Sequence, residues 1–530
     1  MERVTSLNEA SPLLRLPLEV LIRVTTWLTT TELCTTRLLC RAVEERLYLT
    51  FTGEFFSRKQ FMMADLSLQA LVDISKSRLG PHLRFVHIGL DRFPERTQRP
   101  LADDERERRF KQRYADYFVL WNTGTHRQML IEAFSRLVNL DEVVLRDFNS
   151  AKRSRDGPAA EWTSYGSTTI FKETGVRLIH GFNGAWDLGN PPQICSQLFV
   201  IVLHALSAAG ARPRGIRVMT KMDNHLRDFA FNLSRYVEPS ILPVVRRLQK
   251  LHLAIDLSWR SPLSGWGHAA AAAVAAGQAP TRTAPDSLLR RFLWHAVNLR
   301  DLRIYEHHDY NPALTDFLEW LAASSLPDDA SLLDTVPPML PQLERLSLGI
   351  MLVGSRTLLR VIRKFASRLV GLELYTVTLQ RPLPPSSDPT DPPRVNFWLD
   401  FLNQLRQMQD LDIRKFKLGM PKQAYTNRPK EYVVVFDKIG DTVEYTGPFW
   451  RDFVEKVSAT LLVKWPRTIT PEPVSDDQDS DESLADEDDT GDTANAGGVN
   501  AGGVNAGGVN AGGGGDVVDV VDVVPMDEGP

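Results

Sequence analysis

The chain has little cysteine and no long apolar run. Three cysteines, at positions 34, 40 and 195, are too few for a disulfide framework in 530 residues, and none lies in a pair with zinc-ligand spacing. The longest apolar stretch, Leu198 to Gly210, is interrupted by His204 and is shorter than the roughly 18 residues of a membrane span. We therefore expect a cytoplasmic or nuclear protein that is neither secreted nor embedded in a membrane.

Common catalytic motifs are also missing. The sequence contains no phosphate-binding loop, no dinucleotide-binding glycine pattern, no His-Glu-x-x-His and no Gly-x-Ser-x-Gly. The tightest group of possible metal ligands is His307-His308-Asp309, but adjacent residues of an extended segment point to opposite faces. We predict no catalytic residue, no cofactor and no metal site, and an unrecognised enzyme is the third alternative for function.

Positive charge is absent from the C-terminal end. All 62 Lys and Arg precede residue 468, whereas 16 of the 66 Asp and Glu follow it, so the preceding part carries a formal charge of +12. Residues 467–530 combine these acids with AGGVN units and a glycine run, and such a composition cannot offset the entropy of ordering the chain. We predict a disordered tail. It acts as a solvating end, as a competitor folded back on the basic body, or through Val517–Val520, which is similar to a SUMO-interacting motif.

Two basic runs do not argue for a nucleic-acid partner. The run from Arg106 to Arg113 is interleaved with acids, which is typical of a solvated helix face, and the run from Lys152 to Arg155 is short. The basic body instead favours an acidic or phosphorylated protein target.

One short frame recurs in the middle of the chain: an apolar residue, two of any kind, an apolar residue, one of any kind, and another apolar residue. The copies are Leu83/Val86/Ile88, Leu140/Val143/Leu145, Leu248/Leu251/Leu253, Leu299/Leu302/Ile304, Leu343/Leu346/Leu348, Leu369/Leu372/Leu374 and Met408/Leu411/Ile413, with Ile216 and Val218 as a degenerate eighth. The alternating end predicts a half-buried strand, and helical segments such as 286–297 and 355–369 precede several copies. One unit is therefore a helix and a strand, and stacked units would form a solenoid with a parallel sheet.

This body, residues 59–466, resembles an irregular leucine-rich-repeat protein, with loop insertions near 261–286 and 380–394. An ordinary α/β domain is the alternative. Its end departs from the frame: residues 431–436 and 441–447 predict a hairpin, and residues 448–465 predict a final helix that caps the array.

The N-terminal segment, residues 12–58, carries the most specific motif. Leu16-Pro17-Leu18-Glu19 predicts the start of a helix, and Thr29 and Glu32 have capping-box spacing, which predicts a second helix running through Leu33, Cys40 and Leu47. So small a core leaves apolar surface for a partner. A helical hairpin packed on its own body is the alternative.

The order LPLEVLIRVTTWL followed by ELCTTRLLCRAVEERL resembles an F-box, in a chain similar to the F-box proteins common in fungi. The aromatic residue often found three positions after the motif's cysteine is Val43 here. The expected fold is α/β: a helical F-box, then the leucine-rich-repeat-like solenoid that the repeated frame predicts, then the disordered tail that the composition predicts. The resemblance implies binding to the Skp adaptor of a cullin-RING ubiquitin ligase. The residues that would make or support this contact are Leu16, Pro17, Glu19, Val20, Leu28, Leu33, Leu38, Leu39 and Cys40.

The expected function is therefore that of a substrate receptor without catalytic groups of its own. A ligase-independent interaction scaffold is the main alternative. In a repeat strand, the residues between and after the last two apolar positions project from the open face of the sheet. This row is predicted to bind an unknown protein substrate, and it consists of His87, Val144, Arg146, His252, Arg303, Tyr305, Ser347, Glu373, Tyr375, Asp412 and Arg414.

Overall fold

A computed structural model of the chain describes residues 12–94, 103–151, 154–157, 161–179, 194–221, 224–257, 287–306, 312–323, 337–385, 393–426 and 430–465. The predicted loop at 261–286, the centre of the one at 380–394, the His307–Asp309 group and the predicted tail lie outside these residues.

Four helices open the described chain: α1 (Pro12–Arg15), α2 (Leu18–Thr25), α3 (Thr30–Arg37) and α4 (Arg41–Phe55). The predicted capping box is confirmed. The backbone N–H of Thr29 donates to the Glu32 carboxylate at 2.8 Å, and the N–H of Glu32 donates to the Thr29 hydroxyl at 3.3 Å. These bonds satisfy amide groups that the first turn of a helix leaves without partners.

The single second helix that the sequence predicts is wrong. The helix ends at Arg37, and Cys40 adopts an extended conformation, with φ of −163° and ψ of 162°, as the residue before α4. Arg37 bridges this break through an ion pair of 2.9 Å with Glu44. Leu38 and Leu39 therefore lie in the connection between two helices.

The body contains one large sheet whose strands are mostly parallel, in a mixed α/β architecture. The strands β1 (Arg58–Met62), β2 (Phe85–Gly89), β3 (Glu142–Arg146), β6 (Gly215–Met219), β8 (Lys250–Asp256), β9 (Asp301–Glu306), β10 (Arg345–Gly354) and β11 (Gly371–Arg381) lie side by side in chain order. Three strands have only two residues each: β4 (Ser150–Ala151), β5 (Glu161–Trp162) and β7 (Leu226–Arg227). β4 pairs with β5, and β7 pairs in parallel with the end of β8.

Helices occupy most of the connections between these strands. They are α5 (Asp65–Lys76), α6 (Asp104–Asn122), α7 (Thr125–Arg136), α8 (Ser167–Thr174), α9 (Ile194–Ala208), α10 (Glu238–Arg247), α11 (Ser287–His295), α12 (Pro312–Ala322), α13 (Ser355–Phe365) and α14 (Phe397–Arg406), with short 3₁₀ turns at Gly80–His82, Ser154–Asp156 and Asp228–Phe231. The predicted helices near 286–297 and 355–369 correspond to α11 and α13.

The end of the body corrects the predicted hairpin. Strands β14 (Glu431–Phe436) and β15 (Thr442–Thr446) exist, but they do not form a ladder with each other. Strand β15 pairs antiparallel with β12 (Lys415–Gly419), and β14 lies between β13 (Lys422–Tyr425) and β16 (Leu461–Val463). The predicted final helix is shorter than expected, α15 (Trp450–Ser458), because the apolar residues after it form β16.

The repeated frame predicts the strand register correctly in six of its seven copies. Two rows of buried side chains run across the sheet on its helix-covered face, and each row takes one residue from each strand. The rows are Val86, Val143, Ile216, Leu251, Leu302, Leu346, Leu372 and Phe416, and Ile88, Leu145, Val218, Leu253, Ile304, Leu348, Leu374 and Leu418.

The seventh frame is the exception. Leu411 and Ile413 are fully buried, but they precede β12, whose inward residues are Phe416 and Leu418. Burial in a connecting segment produces the same apolar spacing as a strand, so the frame is displaced here.

No helix within the described residues is long and apolar enough to cross a membrane.

Candidate functional site

The N-terminal helices expose several large apolar side chains, although other residues already fill the hydrophobic core of these helices. Leu21, Leu33, Val43, Leu47 and Phe51 form this core, with Leu28, Cys34 and Cys40 packed at its edge. Val43, at the position where the F-box pattern often has an aromatic residue, is fully buried and fills the core as a smaller side chain.

Most of the exposed side chains lie on two elements, although Leu18 and, on α4, Leu49 are exposed as well. Val20, Val24 and Trp27 follow one another at intervals of four and three, which places them on one side of α2 and the turn after it. Leu38 and Leu39, in the break before α4, are 84% and 64% exposed, and Trp27 is 83% exposed. Large apolar side chains in such numbers on so small a unit are typical of a protein-binding surface. We call these five residues the apolar face.

The structure divides the nine predicted adaptor residues into three groups. Pro17, Glu19, Val20, Leu38 and Leu39 are exposed and able to touch a partner. Leu16, Leu28 and Cys40 are half-buried. Leu33 is only 3% exposed and packs inside the core, so its role is to support the helices rather than to make contact. Val24 and Trp27 belong to the apolar face but were not among the nine; their spacing from Val20 was the available signal.

The second candidate surface is the open face of the sheet, opposite the two buried rows. One row of this face takes a residue from each of nine parallel strands, and its members are Gln60, His87, Val144, Arg217, His252, Arg303, Ser347, Glu373 and Lys417. A neighbouring row contains Arg146, Tyr305 and Tyr375. Every predicted member up to Tyr375 is therefore on this face, but the prediction that all of them are accessible is wrong. Arg303, Tyr305, Glu373 and Tyr375 are half-buried. The neighbouring side chains and bonds on the same face bury the remaining five, which are His87, Val144, Arg146, His252 and Ser347.

Arg414 and Asp412 are not in the row. Because the seventh frame is displaced, both residues precede β12, which begins at Lys415. Arg414 forms an ion pair with Asp412 at 3.6 Å. It lines a cleft of about 290 Å³ with Arg345 and Lys415, at the edge where the strands begin. Lys417 occupies the place in the row that was predicted for Asp412, and Arg217 fills the place marked by the degenerate frame between Ile216 and Val218.

A relay of hydrogen bonds crosses the centre of the open face. The Nε of Arg217 donates to Nδ1 of His252 at 3.2 Å, and Nε2 of His252 lies 2.9 Å from the Asp301 carboxylate. Nδ1 can accept the first bond only when it carries no proton, so the ring is neutral and donates from Nε2 to Asp301. Burial lowers the pKa of His252 to about 4, although the Asp301 carboxylate acts in the opposite direction.

A second group on this face surrounds Glu373. Its carboxylate accepts from Arg303 and from Ser347 at 3.0 Å, and from the Tyr305 hydroxyl at 3.3 Å. The rings of Tyr305 and Tyr375 stack at 6.3 Å with an interplanar angle of 17°, across Gly349. A side chain at Gly349 would meet the Tyr305 ring at 2.9 Å, so glycine is required for the two rings to approach. Tyrosine and arginine held in fixed positions are favourable interface residues.

Neither surface has the composition of a metal centre. Across the part of the chain that the structure describes, no group of three His, Cys, Asp or Glu side chains could hold a metal ion. Cys195 is buried, which raises the pKa of its thiol, and no disulfide joins Cys34, Cys40 or Cys195.

The sequence matches no protein-family model and none of the curated proteins.

Proposed function

We propose that this protein is the substrate-recognition subunit of an SCF-type (Skp-cullin-F-box) ubiquitin ligase. Residues 12–58 would bind the Skp adaptor, and the body would bind a protein substrate. The observation that carries the proposal is the apolar face: Val20, Val24, Trp27, Leu38 and Leu39 are exposed on helices whose own core is already complete.

The apolar face is a reason to expect a partner helix. Burying apolar surface contributes about 25 cal/mol per Å², so five large side chains offer several kcal/mol to a complementary groove or helix. The face also coincides with the positions that the F-box resemblance assigns to adaptor contact, since Val20, Leu38 and Leu39 belong to both sets.

For the body, we propose an irregular leucine-rich-repeat-like solenoid. Neighbouring strands of the sheet follow one another in the chain, most connections contain a helix, and in-register rows form one helix-covered and one open face. Such an array would act as a spacer that presents the half-buried Glu373 group to a substrate, and the buried His252 relay would hold the neighbouring side chains in place.

The proposed role needs no catalytic group in this chain. A receptor accelerates ubiquitin transfer by holding a substrate lysine near a charged conjugating enzyme, so that an encounter in solution becomes nearly intramolecular. The requirements are a docking face, a spacer and a selective surface.

Co-purification from cells tests the proposal. The intact chain should retain both the Skp adaptor and the cullin, and Leu38→Asp plus Leu39→Asp should lose both. Val138→Asp is the matched control, because Val138 is also exposed (77%) but lies in the body. Retention of the adaptor without cullin would support the scaffold alternative instead, and equal retention by the double variant would refute the F-box assignment.

A further inference from the structure

A segment of the body reaches back to the N-terminal helices. The 3₁₀ turn Ser154–Asp156 follows β3 in the sequence, yet Arg155 contacts residues more than 100 positions earlier. Its guanidinium donates to both oxygens of the Glu54 carboxylate, at 2.6 and 2.7 Å. It also donates to the carbonyls of Thr25 and Leu28, at 2.8 and 2.7 Å.

Asp156 binds the next helix along. Its carboxylate accepts from the backbone N–H of Thr30 at 2.9 Å, at the first residue of α3. The capping box leaves this amide without a partner from α3 itself, since Thr29 and Glu32 bond each other. A little further on, Trp162 packs against the core of the N-terminal helices.

The charges match the ends of the helices that they contact. The carboxyl end of a helix carries partial negative charge and the amino end partial positive charge. Arg155 lies at the end of α2 and Asp156 at the start of α3, so each side chain has the favourable sign. The Arg155 side chain is 8% exposed and Glu54 is 23% exposed, so water screens this ion pair less than the surface pairs of the body.

These contacts attach α2 and α3 to the body, to which the chain itself connects only α4 directly. Helix α4 leads into β1 through two residues, Phe56 and Ser57, which ties α4 to the body. Helices α2 and α3 precede α4, and they carry the apolar face. The Arg155 and Asp156 bonds join them both to α4, through Glu54, and to the insertion after β3.

We propose that Arg155, together with Asp156, is a positioning element that fixes the orientation of the adaptor-binding helices on the body. The contacts of Arg155 and Asp156 are independent of the proposed function, but the role that we assign to them rests on it. In a ligase, the orientation of the docking face relative to the body would decide which lysines reach the conjugating enzyme.

Hydrogen exchange on the full chain, without adaptor, tests the geometry. Arg155→Ala should raise the exchange rate of amides in residues 18–37 by at least about tenfold, which corresponds to loss of one charge-assisted hydrogen bond. Arg155→Lys keeps the positive charge but loses the planar guanidinium that donates several hydrogen bonds at once, so it should give an intermediate exchange rate. Arg113→Ala is the matched control, since Arg113 makes a similar two-bond contact with Glu173, at 3.0 and 2.8 Å, within the body. Equal exchange in the wild type and Arg155→Ala would overturn the proposal.

A second measurement tests the positioning role in a reconstituted ligase. Adaptor affinity of Arg155→Ala should stay within about threefold of the wild type, whereas self-ubiquitination should spread to body lysines that the wild type leaves unmodified. An unchanged set of modified lysines, mapped by mass spectrometry, would contradict a positioning role. If the wild type binds no adaptor, the proposed function fails while the exchange experiment still decides the geometry.

Discussion

At the scale of single residues, the fold determines the protonation state and the hydrogen bonds of His252 on the open face. His252 is held neutral between a donor, Arg217, and an acceptor, Asp301. A second proton on Nδ1 would displace the Arg217 bond and place two positive charges side by side. Arg217, His252 and Asp301 are therefore held together by hydrogen bonds rather than separately solvated.

This arrangement predicts a pH dependence of stability. The pKa of His252 is about 4 in the folded chain, against about 6.5 when unfolded, so between these values the unfolded chain binds a proton that the folded chain does not. The free energy of unfolding should therefore fall as the pH drops from about 6.5 to about 4, with His252 contributing about 3 kcal/mol at most. Urea titrations across this range should show a shallower dependence in His252→Gln, and parallel curves for the two proteins would contradict the relay.

The proposed substrate recognition by the open face can also be tested at single residues. Proximity labelling with and without the N-terminal helices, under proteasome inhibition, would identify a target. Tyr375→Ala and Lys417→Ala should then each weaken capture of that target at least about tenfold, because aromatic and basic residues often dominate interfaces.

Arg414→Ala provides the control for this experiment. It removes a cation next to the same strand, β12, but outside the open-face row. If all three variants capture the target as well as the wild type does, the substrate lies elsewhere on the body.

At the scale of elements, an unusual backbone conformation recurs in two neighbouring strands and directly after a third. Ile350, Thr376 and Met420 have φ of 52°, 51° and 48°, and each follows a residue that is aligned across the sheet, Gly349, Tyr375 or Gly419. A left-handed conformation is unfavourable for β-branched side chains such as Ile and Thr. The conformation recurs at one level of the sheet, next to the Tyr305 and Tyr375 rings, and backbone strain of this kind is often found at functional sites.

Glycine should relieve this strain. Thr376→Gly should raise the free energy of unfolding by about 0.5 to 1 kcal/mol, since the Thr376 side chain is half-buried and makes only a long contact of 3.9 Å with the Met420 sulfur. Thr378→Gly, two residues along in extended conformation and fully buried, should instead destabilise the protein. Urea denaturation of both variants measures the difference. Destabilisation of both by the same amount would show that the left-handed residue is not strained.

How much of this could be predicted from sequence differs between elements. The Thr29 and Glu32 spacing was sufficient for the capping box, and alternation in the repeated frame placed Arg303, Tyr305 and Glu373 on the open face. The same alternation failed before β12, because buried residues in a connection, Leu411 and Ile413, have strand-like spacing. Arg155 had no local signal, since its partners lie more than 100 positions away.

At the scale of the whole molecule, the proposed docking surface and the proposed recognition surface lie on different elements. The apolar face lies on α2 and the α3–α4 break, and the His252 relay and the Glu373 group lie on the open face of the sheet. The Arg155 contacts join the N-terminal helices to the body. This division is what a receptor that acts through proximity requires.

The central claim is that the apolar face binds a Skp-type adaptor, and a titration of the purified full chain with purified adaptor tests it most directly. The account predicts a 1:1 complex of micromolar or tighter affinity for the wild type and for Val138→Asp. It predicts a loss of at least about 100-fold for Leu38→Asp plus Leu39→Asp, because burying two charges at an apolar interface is costly. No binding by the wild type, or equal binding by all three proteins, would contradict it.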